Sequence, residues 1–265
     1  MSVRVISLTT DFAEGLFVGV MKGIILGINP DARIVDLTHA IPPGNVRAGA
    51  FALMVSCRHF PPESIHVVVV DPGVGSSRKI VCVRAGDQVF LAPDNGILSW
   101  VLARRKMQDV RSVENEKYFL DEVSMTFHGR DIFAPVAAHL SLGVPLAEVG
   151  PAMKSDDLVT INFPRPRRER DHTVRGEIIY VDRFGNCVTN VAPEDLVDVD
   201  PQRAWIETST VGVEGLSESY AQVMRGRPLG LLGSSGFLEI AVSGDDASRR
   251  FGIKVGDAVT VHPHR

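Results

Sequence analysis

Residues 65–79 read IHVVVVDPGVGSSRK, a run of β-branched residues that stops at a carboxylate, a proline and two glycines. Ile65, Val67, Val68, Val69 and Val70 lack the in-out alternation of a half-buried strand, so the run reads as a strand covered on both faces, as in a parallel sheet. Asp71 then falls at the strand's carboxyl end, where open α/β sheets bind ligands. Gly73 and Gly75 let the backbone turn tightly and approach a bound molecule, and Arg78 follows while the loop is still close. Taken alone, the segment reads equally well as a strand, a tight turn and a solvated arginine. The flanking sequence has to decide between the two.

Working outward, Val3 to Leu8 and Ala32 to Leu37 read as strands, with helices expected over Gly15 to Leu26 and Asn45 to Ser56. Ile80–Ala85 and Gln88–Leu91 suit a hairpin across Gly86-Asp87, followed by helices at Ile97–Arg105 and Ile132–Leu142. Strands alternating with helices imply an α/β domain with a largely parallel sheet, spanning residues 1–162. Residues 163–172 are rich in proline and arginine and read as a linker. Beyond it, short β-rich runs separated by Gly, Pro and Asp/Asn turns predict a smaller all-β, barrel-like domain over 173–265.

Composition removes several function classes. A net charge of -4 gives no reason to expect nucleic acid or an anionic membrane as partner. Cys57, Cys82 and Cys187 form no CxxC pair, so neither a zinc site nor a disulfide framework is indicated, and no metal ligand set is apparent. No segment approaches the ~20 apolar residues of a membrane span, and the N-terminus lacks a signal-peptide stretch, so a cytoplasmic location is expected. The chain contains no GxxxxGK[ST], GxSxG or HExxH.

Five polar clusters stand out. Thr9-Thr10-Asp11 ends the first strand; a carboxylate there suits a vicinal diol, although it would also serve as a helix N-cap. Asp71 with Arg78 is the second, and His128, between Phe127 and Gly129 just before a helix, marks the third. Asp182-Arg183-Phe184-Gly185-Asn186 follows a strand; Asn186 donates and accepts together, which matches the edge of an adenine ring, and the same residues suit a hairpin turn. Gly233-Ser234-Ser235-Gly236 offers hydroxyls and backbone N–H groups to an anion, or forms a turn.

In order, the stretches LTTDF (8–12), VGVMKG (18–23), VVDPGVGSSR (69–78), APDNGILS (92–99), FHGRDIFAP (127–135), VDRFGNCVTN (181–190) and SSGFLEIAV (234–242) resemble the S-adenosylmethionine (SAM) hydroxide adenosyltransferases, relatives of the SAM-dependent fluorinase and chlorinase. The resemblance implies an N-terminal α/β domain, a C-terminal β-barrel, and a homotrimer with active sites between subunits. It implies hydrolysis of SAM, as substrate and with no cofactor, to adenosine and L-methionine. Asp71, Arg78 and His128 match the set that handles water in hydrolytic members. Asp11 matches the ribose carboxylate, Asn186 the adenine partner and Asp182 the holder of the methionine ammonium. Ser234, Ser235, Glu239 and Val242 fall in the segment that lines the ligand. Where the family commonly continues TTDF with glycine, this chain has Ala13.

The implied chemistry suits these residue types. The sulfonium leaves as a neutral thioether and needs no general acid, so the work lies in activating water, whose pKa is about 15.7. A guanidinium stabilises developing negative charge, and a carboxylate or imidazole takes the proton. A halide nucleophile beside Asp71 would be repelled by roughly 3 kcal/mol at an effective dielectric near 20. Hydrolysis is therefore favoured over halogenation. The reading from a different class is a SAM or adenosine sensor that binds without turnover.

Overall fold

The computed structural model describes residues 4–264, which divide into two compact units with the boundary between Asn162 and Phe163. Val3, expected to open the first strand, lies outside the described residues. The first unit holds six strands, β1 (Val5–Thr10), β2 (Arg33–Thr38), β3 (Ile65–Val69), β4 (Ile80–Ala85), β5 (Gln88–Pro93) and β6 (Met107–Ser112), in the sheet order β2-β1-β3-β5-β4-β6. The central β3 is buried along its whole length, as its unbroken β-branched run requires.

The sheet is mixed rather than simply parallel. β1 pairs in parallel with β2 and β3, and β3 with β5, but β4 runs antiparallel to both β5 and β6. The hairpin across Gly86 turns the chain back, and β6 then adds beyond β4. Helices α1 (Leu16–Ile28) and α2 (Val46–Ser56) form close to the expected positions, α2 capped by the Asn45 side chain on the Ala48 N–H. The helix expected over Ile97–Arg105 is reduced to one turn, α3 (Ser99–Leu102), because the chain must turn at residues 103–105 to enter β6. The last helix of the unit, α4 (Ala134–Ser141), is preceded by a π-helical turn at Gly129–Phe133. α1 and α4 pack together on the sheet through Val18, Met21, Ile25, Phe133, Ala137 and Leu140.

The second unit strings nine short strands, β7 (Arg167–Arg168), β8 (Val174–Val181), β9 (Cys187–Thr189), β10 (Trp205–Glu207), β11 (Gly212–Glu214), β12 (Leu216–Ser217), β13 (Pro228–Leu232), β14 (Leu238–Val242) and β15 (Ala258–His262). Their order is β11-β10-β15-β8-β9-β14-β13-β12, with β7 on β8. β11 comes back against β13, so the sheet curls almost into a barrel around Val174, Ile178, Ile206, Leu238, Ile240 and Val261. The unit is not purely β: α5 (Ala247–Phe251) is capped by Asp246 and stopped by Gly252 at φ 68°. Among the described residues no helix is long and apolar enough to cross a membrane, and all three cysteines are free and buried.

One buried polar group ties stability to pH. His66 on β3 is fully buried, stacked on Phe90, with Nδ1 2.7 Å from Ser7 Oγ. Burial is the main cause that lowers its pKa to about 4, from 6.5, with Arg105 adding to the shift and an interaction with the Gln88 side chain that favours the protonated ring opposing it. The folded state thus resists a proton that the unfolded chain accepts, so stability is lost as pH falls from 6.5 toward 4. We expect the loss from this group to reach roughly 3 kcal/mol below the lower value. Urea unfolding at pH 7 and pH 4.5 should show a smaller difference in His66→Asn than in the wild type.

Candidate active site

In the first unit, β3 ends at Val69, Val70 after it is fully buried, and Asp71 emerges at the carboxyl edge of the sheet. The loop closes on itself: Asp71 Oδ1 accepts the Gly73 N–H at 3.2 Å, and Ser76 Oγ donates to the Gly73 carbonyl at 2.6 Å. Gly75 lies at φ 77°, and a Cβ there would sit 2.2 Å from the Met125 carbonyl oxygen. That close approach seats the Asp71–Arg78 loop against the segment leading to His128.

Arg78 bridges the other two members of the expected trio. Its Nε donates to Asp71 Oδ2 at 2.8 Å, its Nη2 makes a shorter contact with the same oxygen, and Nη2 also donates to His128 Nδ1 at 2.8 Å. The side chains of Asp71 and Arg78 are only 5% and 12% exposed, and His128 8%. A guanidinium cannot accept, so Nδ1 carries no proton and the imidazole is neutral with Nε2–H. Burial first, and the Arg78 charge second, lower the His128 pKa, which agrees with that assignment.

Asp11 joins Asp71 and His128 in a pocket of about 60 Å³ lined also by Phe12, Val69 and Phe127. Its carboxylate does not cap α1, whose N-cap is Gly15 with no side-chain bond; it accepts the Gly44 N–H at 2.7 Å instead. Thr10 Oγ1 lies 2.8 Å from His39 Nδ1, with His39 Nε2 3.0 Å from Asp36, and this chain fixes the end of β1. Ala13 adopts φ 53°, the left-handed region, which accounts physically for glycine as the usual residue at that place.

The remaining expected residues meet in the second unit. Asp182, Asn186, Ser234, Glu239 and Val242 line one cleft of about 620 Å³, with Phe184, Tyr220, Gly244 and Asp245. Asp182–Asn186 is indeed the β8–β9 turn: Asp182 Oδ1 accepts the N–H groups of Phe184 and Asn186, and Oδ2 accepts Asn186 Nδ2, all within 2.9 Å. The turn therefore presents a pre-oriented carboxylate and an amide with its carbonyl oxygen still free for a ligand edge. Ser235 does not line the cleft but donates to Glu239 Oε1 at 3.3 Å, and Tyr220 Oη donates to Oε2 at 2.8 Å. Burial raises the Glu239 pKa; the Tyr220 and Ser235 bonds oppose this, while the Asp182 charge adds to it. A Cβ at Gly233 would fall 1.8 Å from Glu239 Oε1, so only glycine leaves that carboxylate its place.

Tyr220, Phe184 and Asp245 were not singled out by the sequence reading. Tyr220 sits in a plain polar stretch, SESYAQ, and only the curl of the sheet carries it to Glu239. Phe184 gave a signal, an aromatic inside a cluster already marked, and it stands 76% exposed.

Residues 6–150 match the SAM hydroxide adenosyltransferase N-terminal domain, and residues 176–260 match the C-terminal domain of the same family. The chain belongs to the SAM hydroxide adenosyltransferases. A member from Salinispora tropica named (R)-S-adenosyl-L-methionine hydrolase is 38% identical, over 97% of each chain. One of the same name from Methanocaldococcus jannaschii is 33% identical, over 97% of this adenosyltransferase-family chain and 95% of its own. A fluorinase from Actinoplanes is more distant, 28% identical over 91% of each. The fold is shared with a Thermotoga maritima protein of 37% identity, at a TM-score of 0.90, covering 97% of this chain and all of that one.

Proposed function

We propose that this enzyme hydrolyses (R)-S-adenosyl-L-methionine to adenosine and L-methionine, with water as the nucleophile at ribose C5′. The observation that carries the reading is the Arg78 guanidinium bridging the side chains of Asp71 and His128, in a chain matched over 97% of its length by a protein named for this hydrolysis. The water oxygen bonds to C5′ as the C5′–S bond breaks; the electron pair leaves with sulfur, and the water proton passes to the enzyme and then to solvent. His128 Nδ1 is occupied by Arg78, whereas Asp71 Oδ1 holds only the long bond to Gly73. In this reading Asp71 accepts the proton, His128 orients the water through Nε2–H, and Arg78 offsets the charge that develops.

Asp11 is read as holding the ribose diol, Asn186 the adenine edge and Asp182 the methionine ammonium. Ser234, Glu239 and Val242 shape the remaining wall, with Tyr220 now added, and Ser235 supports Glu239 from behind it. SAM serves as substrate, and no cofactor enters the scheme. The working form is read as a homotrimer with active sites between subunits, supported by the family resemblance and by the division of the site residues between two units.

The test is chromatography of purified protein incubated with each sulfonium epimer. Adenosine and methionine should appear from the (R) epimer. Tight binding without turnover would replace the hydrolase with a sensor, and a 5′-halo nucleoside in chloride or fluoride buffer would replace it with a halogenase.

A further inference from the structure

Three residues beyond His128, the side chain of Asp131 is completely buried, although it is a carboxylate in a helix-entry turn. Such burial is unfavourable unless the charge is fully partnered. Asp131 Oδ1 accepts Arg130 Nε at 2.5 Å, and Oδ2 accepts Arg130 Nη2 at 3.1 Å and the Ser124 N–H at 2.9 Å. Burial pushes its pKa up, but the bonds from Arg130 and Ser124 outweigh it and hold the group below the ordinary carboxylate range, hence ionised.

These contacts reach the loop that forms one wall of the pocket around His128. Ser124 Oγ in turn accepts the Phe127 N–H at 3.0 Å, so the carboxylate fixes Ser124 and, through it, the loop carrying Met125, Thr126 and Phe127. The Asp131 main chain closes the same turn, its N–H donating to the Phe127 carbonyl and its carbonyl accepting from Leu120. Arg130, held on the carboxylate, lies over the Phe127 ring at 5.4 Å. The turn is π-helical, a wider form that inserts a residue and re-aims the side chains at its start.

We propose that Asp131 is a positioning residue: its buried carboxylate clamps the Ser124–Phe127 loop onto the π-turn in the one arrangement that delivers His128 Nδ1 to Arg78. The proposal rests on the hydrolase reading given above. Its charge has a second consequence. The groups facing His128 are Arg78 and Asp71 from the β3 loop and Asp131 from its own turn; Arg78 disfavours the imidazolium, and the two carboxylates favour it. Asp131 thereby keeps the imidazole from becoming still less basic than burial and Arg78 already make it.

Asp131→Asn preserves shape and removes the charge. We expect kcat for SAM to fall roughly a hundredfold, the scale of a misplaced catalytic group, with KM within about threefold. The acid limb of kcat/KM should move to lower pH, because His128 then loses a neighbour that favours its proton. Unchanged kcat, a loss confined to KM, or an acid limb that stays in place or rises would overturn the proposal. If Asp131→Asn does not fold, Arg130→Gln decides: it loosens the clamp and should lower kcat several-fold at constant KM, and an unaltered kcat refutes the role. A wild-type protein that makes no adenosine at all would instead defeat the hydrolase reading.

Discussion

Asp71→Asn should lower the rate of adenosine formation by roughly a thousandfold, within the span expected when a general base is lost, while KM for SAM changes little. The carboxylate is 5% exposed and already held by Arg78 through Oδ2, so the amide keeps the packing. What it loses is the acceptor proposed for the water proton and the charge that balances the guanidinium. Without that charge, Arg78 is free to attract an anion, and the site gains one feature of a halide pocket. Steady-state assays by chromatography of adenosine, with melting curves run alongside, separate this from misfolding. A variant retaining more than about a tenth of wild-type kcat would remove Asp71 from the base role and leave His128 to fill it.

Asp182→Asn carries the second large effect, and it acts on binding. Asp182 already accepts three hydrogen bonds from its own turn, so the carboxylate is oriented before any ligand arrives. Replacing it with the amide leaves an acceptor at Oδ1 but removes the charge that would meet the methionine ammonium. We expect KM for SAM to rise roughly a hundredfold, the scale of one lost charged hydrogen bond, with kcat at saturation nearly unchanged. Binding of adenosine, which has no ammonium, should be affected far less. Equal weakening of SAM and adenosine in calorimetry would show that the turn itself had collapsed.

The parts of the fold legible in the sequence were those governed by local rules. The unbroken IHVVVV run marked the central strand because a strand covered on both faces has no polar side to show. The helix over Asn45–Ser56 was legible because helical periodicity is a local pattern, and the structure adds the Asn45 cap on α2. β6 went unseen: MQDVRS has few apolar residues, and its strand character comes from pairing with β4 at the sheet edge. The antiparallel β4–β5 hairpin was legible from Gly86-Asp87, whereas the pairing of β4 with β6 and the insertion of α5 in the β-rich unit are long-range outcomes.

The candidate site shows the same division. Asp71, Arg78 and His128 could be picked out by their motifs, but not the order Asp71–Arg78–His128 in which they touch, since Arg78 and His128 lie 50 residues apart. Two expectations did not hold, the alternative of Asp11 as a helix cap and the ligand-lining place that the resemblance implied for Ser235. Asp11 turns to Gly44, and Ser235 supports Glu239 rather than lining the cleft. Tyr220 had no local signal, because its role is defined by a carboxylate 19 residues away on β14.

The central claim, that water attacks C5′ of SAM, is tested most directly by turnover in ¹⁸O-labelled water followed by mass spectrometry of both products. The account predicts one ¹⁸O atom in the 5′-hydroxyl of adenosine and none in methionine. Adenosine without the label, or a 5′-substituted nucleoside in its place, would contradict it.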